Sequence, residues 1–450
     1  MNIKSRALLT TTTASFLTPF MGSSINVALP LIGKEFEVDT IVLGWIATSF
    51  LLAAGIFSVP FGRIADIRGR KRVFTIGLSV FTVGSLLSAV APSADLLIAF
   101  RIIQGVGGAM IFTTAVAILT SIFPPAERGK AIGINTSAVY TGLSLGPFLG
   151  GYLTHNFGWR SIFLINIPIS LFALILAIRL RGEWAEAKGE TFDFLGSLIY
   201  GLMILFLIYG LIENAICLIV GLILLFLFVA YESKVKYPVL EIKLFRENAV
   251  FALSNLAALL NYSATFAVSF ILSLYLQYIK NLDPQQAGLI LLAQPVTMAV
   301  FAPLAGWISD KVESRVVASA GMALTALSLL IFSNISINTS ISTITLNLTL
   351  LGFGLALFSS PNTKTIMNSV ERKFFGVASA TVSTMRLIGQ ILSMALVMLI
   401  FSIMMGRVEI VPEYFHMFIK SAKLSFELFT VLCIVGVFAS LGRLKFKQSI

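Results

Sequence analysis

Charge is scarce in this chain. Only 12% of its 450 residues are Asp, Glu, Lys or Arg, about half the share found in soluble domains. A water-soluble globule cannot be made from that mixture, and a disordered chain needs more charge and less apolar side chain. Cysteine is nearly absent: Cys217 and Cys433 both lie in apolar runs, which excludes a disulfide framework and leaves packed, inert thiols. Histidine numbers 2, so no metal site and no histidine-centred enzyme chemistry is expected. No Gly-Lys-Ser/Thr phosphate loop occurs, and no cofactor is implied. Acid is the scarcer charge, 21 Asp+Glu against 32 Lys+Arg for a net +11. What fills the chain instead is apolar: 57% of residues are hydrophobic, spread along the whole length. The reading is an all-α, polytopic integral membrane protein.

A hydrocarbon core of about 30 Å needs about 20 helical residues. Fourteen such runs can be placed between residues 8 and 442, with the second at 42–61, the eighth at 215–231 and the last at 424–442. The segment 406–423 is expected on the membrane surface. With the amino terminus inside, 24 of the cations fall on inner segments and 6 on outer ones, leaving Arg101 and Arg386 within spans. By the positive-inside rule both termini are cytoplasmic, in a plasma membrane. The net charge then reports orientation, and no nucleic-acid partner is expected.

The chain repeats itself. Gly62-Arg-Ile-Ala-Asp66 after the second span returns as Gly306-Trp-Ile-Ser-Asp310 after the tenth, and Gly129-Lys-Ala returns as Gly376-Val-Ala. Spans 1–6 and 9–14 therefore correspond, with two spans inserted between them. The expected division is 1–180 as an N-terminal six-helix bundle, 181–248 as an inserted hairpin with its flanking loops, and 249–450 as a C-terminal six-helix bundle.

Three motifs stand out. The expected loop Gly62–Arg72 holds Gly62, Asp66, Gly69 and Arg70, where glycines permit a tight turn and Asp66 can pair with a cation to latch one conformation. A solvated orientation signal is the simpler reading, but it would not need an echo at Asp310. The fourth span carries Arg101-Ile-Ile-Gln104-Gly105, with the arginine about 9 Å inside the outer boundary. Its charge needs a cavity or a partner there, or must snorkel. The fifth span carries Gly142, Gly146 and Gly150, one smooth stripe for close helix packing, with Pro147 freeing a carbonyl.

With these motifs the chain resembles the major facilitator superfamily, and within it the fourteen-spanning drug:proton antiporters. The resemblance runs through Asn26-Val-Ala-Leu-Pro30, Trp45, Gly62–Arg72, Arg101–Ala109, Gly142–Gly151, Trp159–Pro168, Tyr275-Leu-Gln277 and Gln286-Ala-Gly288. It implies two six-helix bundles around a central cavity, alternating access, and export commonly driven by inward proton flow. Met21 stands where the family usually carries an acid, and a membrane carboxylate is what attracts cations and carries a coupling proton.

The interior charge that is present is positive. Arg386 lies about 17 Å from the inner end of the thirteenth span, near the midplane, with Gln390 on its face one turn later. Either it faces the cavity in a substrate or coupling role, or it is a structural, hydrogen-bonded arginine. Asn26, Asn135, Tyr140, Asn261, Tyr262, Gln294 and Asn362 are further polar candidates, each equally suited to an interhelical hydrogen bond. The expected function is a secondary exporter, working as a monomer in the lipid bilayer, of amphipathic small molecules that are neutral, anionic or zwitterionic, with protons as a second partner. The alternative is a facilitator or an anionic-amphiphile or lipid transporter without antiport. An enzyme would need converging His, Asp or Glu that this interior lacks.

Overall fold

The computed structural model describes residues 2–370 and 375–442. Arg372, Lys373, Arg443, Lys445 and Lys447, counted above toward the inner face, lie outside the described residues. The fold is all-helical: α1 (Ile3–Phe36), α2 (Thr40–Arg68), α3 (Arg70–Ala89), α4 (Ala94–Ile122), α5 (Pro125–Phe157), α6 (Ser161–Ile178), α7 (Phe194–Ile212), α8 (Ala215–Glu232), α9 (Ala249–Ile279), α10 (Pro284–Lys311), α11 (Ser314–Phe332), α12 (Ile341–Asn368), α13 (Phe375–Met404) and α14 (Phe415–Gly442). Among the described residues, 13 of these helices are long and apolar enough to cross a bilayer. The remaining one is α5, whose middle holds Asn135, Ser137, Tyr140, Thr141 and Ser144.

The helices pack in two groups. In the first, α1 lies against α5, α4 and α6, while α4 also packs on α2 and α3. In the second, α9 lies against α13 and α14, and α12 against α10 and α11. Contact between the groups runs along α5–α10 and α2–α13, with the far end of α1 meeting α9. Helix α7 sits on the α2–α13 seam, touching both groups. Its hydroxyl Tyr200 Oη donates to Gly55 O at 3.2 Å, and Glu213 at its end accepts from Trp45 Nε1 at 3.1 Å and pairs with Arg407. Helix α8 packs chiefly on α7 and presents Ile216 and Phe226 outward, as a lipid-facing helix does.

Three segments differ from the expectation. Gly62–Arg68 is helical, because α2 continues past the apolar run, and the expected loop shrinks to Gly69 at φ 118°. Only glycine holds that backbone without strain. Residues 415–423 join α14 and do not lie as a separate surface segment, since Phe418, Ile419 and Ala422 are buried in the core. Glu232, expected just beyond the eighth span, is the last residue of α8 and only 3% exposed.

Candidate functional site

The α2–α3 junction, the α10 end and Lys364 mark a cation-rich face. On the opposite face the two groups are tied backbone to side chain: Ser273 Oγ donates to Asn26 O at 2.7 Å, Gln277 Nε2 to Val27 O at 3.0 Å and Tyr278 Oη to Pro30 O at 3.4 Å. The closeness depends on glycine, because a Cβ on Gly151 or Gly288 would strike the backbone of Pro284 or Pro147. Toward the middle, Tyr140 Oη on α5 meets Ser359 Oγ on α12 at 3.1 Å. One turn closer to the cation-rich face, Thr136 on α5 and Ser383 on α13 are exposed. The cleft between the groups thus opens toward the cation-rich face.

Arg386 sits at the head of this cleft. Gly389 lets α13 approach α9 so closely that a Cβ there would lie 2.8 Å from Tyr262 Cβ. One turn earlier on α13, the Arg386 guanidinium stands 5.4 Å from the Tyr262 ring centroid, a cation–π distance. Tyr262 Oη in turn reaches Ser359 Oγ at 3.5 Å, so Ser359 lies between the two tyrosines. The Arg386 Nε is buried without a hydrogen-bond partner. Four helices from both groups therefore converge on one guanidinium, three hydroxyls and two aromatic rings. Such a cluster can bind an anion or a carbonyl oxygen through charge-assisted hydrogen bonds and stack a planar ring. Gln390 is partly exposed one turn further along α13.

Arg101 is elsewhere. It is 0% exposed inside the first group, where Nε donates to Ile46 O at 2.5 Å and Nη2 to Ala47 O at 3.4 Å. Phe50 and Phe163 cover it, with ring centroids 5.4 and 5.9 Å from Cζ. Proximity of α4 to α2 comes from Gly105, whose Cβ would overlap Phe50 O. Gln104 is likewise buried and donates to Ser85 Oγ at 2.8 Å. Asn26 is buried in the tied face. Asn261 is fully buried, with both side-chain polar atoms unpartnered, and Gln294 buries an unpartnered Oε1.

The switch candidates form a second cluster. Arg70, 7% exposed, holds Asp66 Oδ1 through Nε at 2.8 Å, Ser121 Oγ on α4 at 2.7 Å and Glu186 Oε1 at 2.7 Å. Gly69 makes room for Glu183, which accepts Lys71 N at 2.8 Å. In the second group the counterpart Asp310 pairs with Lys364 of α12. Gly142, Gly146 and Gly150 face Phe16, Ser23 and Ser24 of α1, as a close-packing stripe must, while Pro147 faces Gly288. Gly62 has only ordinary contact with Thr113, at 3.7 Å, so packing does not demand a glycine there. Met21, buried in place of an acid, accepts from Asn166 Nδ2 at 3.4 Å. Ser359 and the linker acids Glu183 and Glu186 escaped the sequence reading. Serine is common in packed helices, and a charged linker shows nothing of where it folds back.

The chain matches the profile of the Major Facilitator Superfamily over residues 11–242 and 254–445. It is 31% identical over 376 residues to the riboflavin transporter RibZ of Clostridioides difficile (strain 630), covering 82% of each chain. It is 32% identical over 384 residues to the multidrug resistance protein Stp of Mycobacterium tuberculosis (strain CDC 1551 / Oshkosh), covering 82% of this chain and 71% of that one. Among solved structures, a bacterial homologue of the human lysosomal transporter Spinster, in an inward-facing and unoccupied conformation, superposes with TM-score 0.73 at 17% identity, over 100% of this chain and 99% of that chain.

Proposed function

Because the chain belongs to the major facilitator superfamily, and so is a multi-pass membrane transporter and not an enzyme, we propose that it exports amphipathic small molecules by alternating access, with Arg386 as the recognition centre. The observation that carries this reading is the Arg386 cluster itself. A guanidinium with a free Nε stands beside Tyr262, Tyr140 and Ser359, where helices of both groups meet. Positive charge without a facing carboxylate selects neutral or anionic substrates carrying a planar ring and a carbonyl or acid oxygen. The names of the relatives fit that chemistry: one transports riboflavin and another is a multidrug resistance protein. The protein works as a monomer in the plasma membrane, with the cation-rich face and both termini in the cytoplasm, as the charge bias favours. Rocking of the two groups about the Tyr140–Ser359 contact would expose the cluster to either side in turn.

Proton antiport completes this reading, and the absence of an acid at Met21 supports the second one, a facilitator or an anionic-amphiphile transporter without antiport. Flux of anionic, neutral and cationic amphiphiles into proteoliposomes, with and without an imposed pH gradient, tests both. Uptake of anionic and neutral probes that accelerates with the gradient is the expected result. Uptake indifferent to the gradient favours the facilitator, and preference for cations overturns the role given to Arg386.

A further inference from the structure

The hairpin α7–α8 carries two carboxyl groups that no transport step uses. Asp193 precedes α7 and Glu232 ends α8, on the cation-rich face, so the two ends of the hairpin bring them together. Each has one oxygen fully engaged. Asp193 Oδ1 accepts Gly196 N at 2.8 Å and Tyr231 Oη at 3.1 Å. Glu232 Oε2 accepts Leu240 N at 3.1 Å, from the segment leaving the hairpin. The other oxygens, Asp193 Oδ2 and Glu232 Oε1, are buried and have no assigned donor. They converge on one spot, since a Cβ on Gly196 would overlap both, and the carboxyl groups lie within hydrogen-bonding range of each other. Glu232 is only 3% exposed.

Glu232 is a buried carboxyl whose free oxygen meets a second buried carboxyl oxygen, Asp193 Oδ2, and two negative charges in contact do not hold it there without a cation. Among the described residues no Lys or Arg pairs with either, and the titratable groups facing the pair are each other and the Tyr231 phenol, already a donor to Asp193. The geometry points to a proton-binding clasp: one proton shared between Asp193 Oδ2 and Glu232 Oε1 cinches the base of the hairpin and the segment 233–241. That segment touches α2 on its way to α9. Tyr237 lies with its ring centroid 5.9 Å from Arg63 Cζ, and Arg63 also pairs with Glu190 of the linker that enters the hairpin. With the proton bound, both linkers are held over the end of α2. When pH rises and the proton leaves, the like charges repel, Leu240 is released, and the cover over Arg63 loosens. The clasp is thus closed at low pH and open at high pH, because the carboxyl oxygens in contact attract while they share a proton and repel once it has gone.

The test is amide hydrogen exchange of the purified full chain in lipid nanodiscs from about pH 6 to about pH 8.5, corrected for intrinsic exchange chemistry. Opening of 233–241 is expected to increase on the order of tenfold across this range in the wild type. Glu232→Gln places an amide N–H against Asp193 Oδ2 and keeps an oxygen for Leu240, so its protection should be high and independent of pH. Asp193→Asn makes the converse replacement and gives the same prediction by a second route. A wild type whose protection of 233–241 does not vary with pH, or amide variants that keep the wild-type pH dependence, would overturn the clasp.

Discussion

Arg101 and Arg386 both lie deep within apolar stretches of membrane-spanning helices, and the structure gives them opposite surroundings. Arg101 is sealed inside one group of helices, two of its nitrogens on the carbonyls of Ile46 and Ala47 and two phenyl rings over it. Arg386 stands where the groups meet, its Nε unpartnered and its face against Tyr262. Both carry the same charge, so charge in an apolar span does not by itself decide what an arginine does. Each guanidinium leaves one nitrogen without a protein partner, Nη1 in Arg101 and Nε in Arg386, so place separates them: sealed within one group of helices the first clamps it, and where the groups meet the second can hold something that comes and goes.

Replacing Arg386 is the harshest way to probe that contrast. Loss of a charge-assisted contact in a desolvated site is worth about 2–3 kcal/mol, so Arg386→Ala should slow transport by about a hundredfold with little change in thermal stability, measured by proteoliposome flux beside scanning fluorimetry. Arg386→Lys should recover part of the rate, because it restores the charge and not the planar face. Arg101→Leu should do the reverse. It removes a clamp between α4 and α2, and chemical unfolding in detergent should show a loss of about 3 kcal/mol with transport per folded molecule close to wild type. Should Arg101→Leu keep its stability and lose transport, the contrast between the two arginines fails. A gentler cut is Tyr262→Phe, which keeps the ring under Arg386 and removes only the hydroxyl; about fivefold slower flux is expected, near 1 kcal/mol. The smallest effect belongs to Asp310→Asn. Its carboxylate is more exposed than that of Asp66, so stability should fall by less than about 1 kcal/mol, and by more in Asp66→Asn, where buried Arg70 loses the less exposed of its two carboxylate partners.

Much of the fold was legible because the bilayer imposes one length and one polarity on every crossing helix. Helix α5 shows the limit of that rule. Its sequence reads as an apolar run between charged ends, yet among the described residues it is the one of the fourteen that falls short of a crossing helix by composition. Arg101 and Arg386 looked alike in sequence because each is a charge in an apolar run beside small or polar residues; which face of α2 or α9 lies opposite is a matter of packing that spacing does not carry. The Gly62–Arg72 motif was read as a loop because its charges end the apolar run, yet charge is no obstacle to helix, and only Gly69 breaks the ladder. Asp193 and Glu232 lie 39 positions apart in the chain, and only the antiparallel return of α8 on α7 joins them.

Helix α5 is smooth on two sides: Gly142, Gly146 and Gly150 turn toward α1, while Pro147 and Gly151 meet Gly288 and Pro284 of α10. Along the α10 line main chain rests on main chain, and along the α1 line only small side chains, Ser23, Ser24 and the ring of Pro19, reach the glycines beside the backbone. Such a joint works as a bearing. Two rods touching along backbone and such short side chains can change their crossing angle without any long rotamer having to jump, so friction at the pivot is low and a tilt of a few degrees there becomes a displacement of ångströms at the far ends of helices this long.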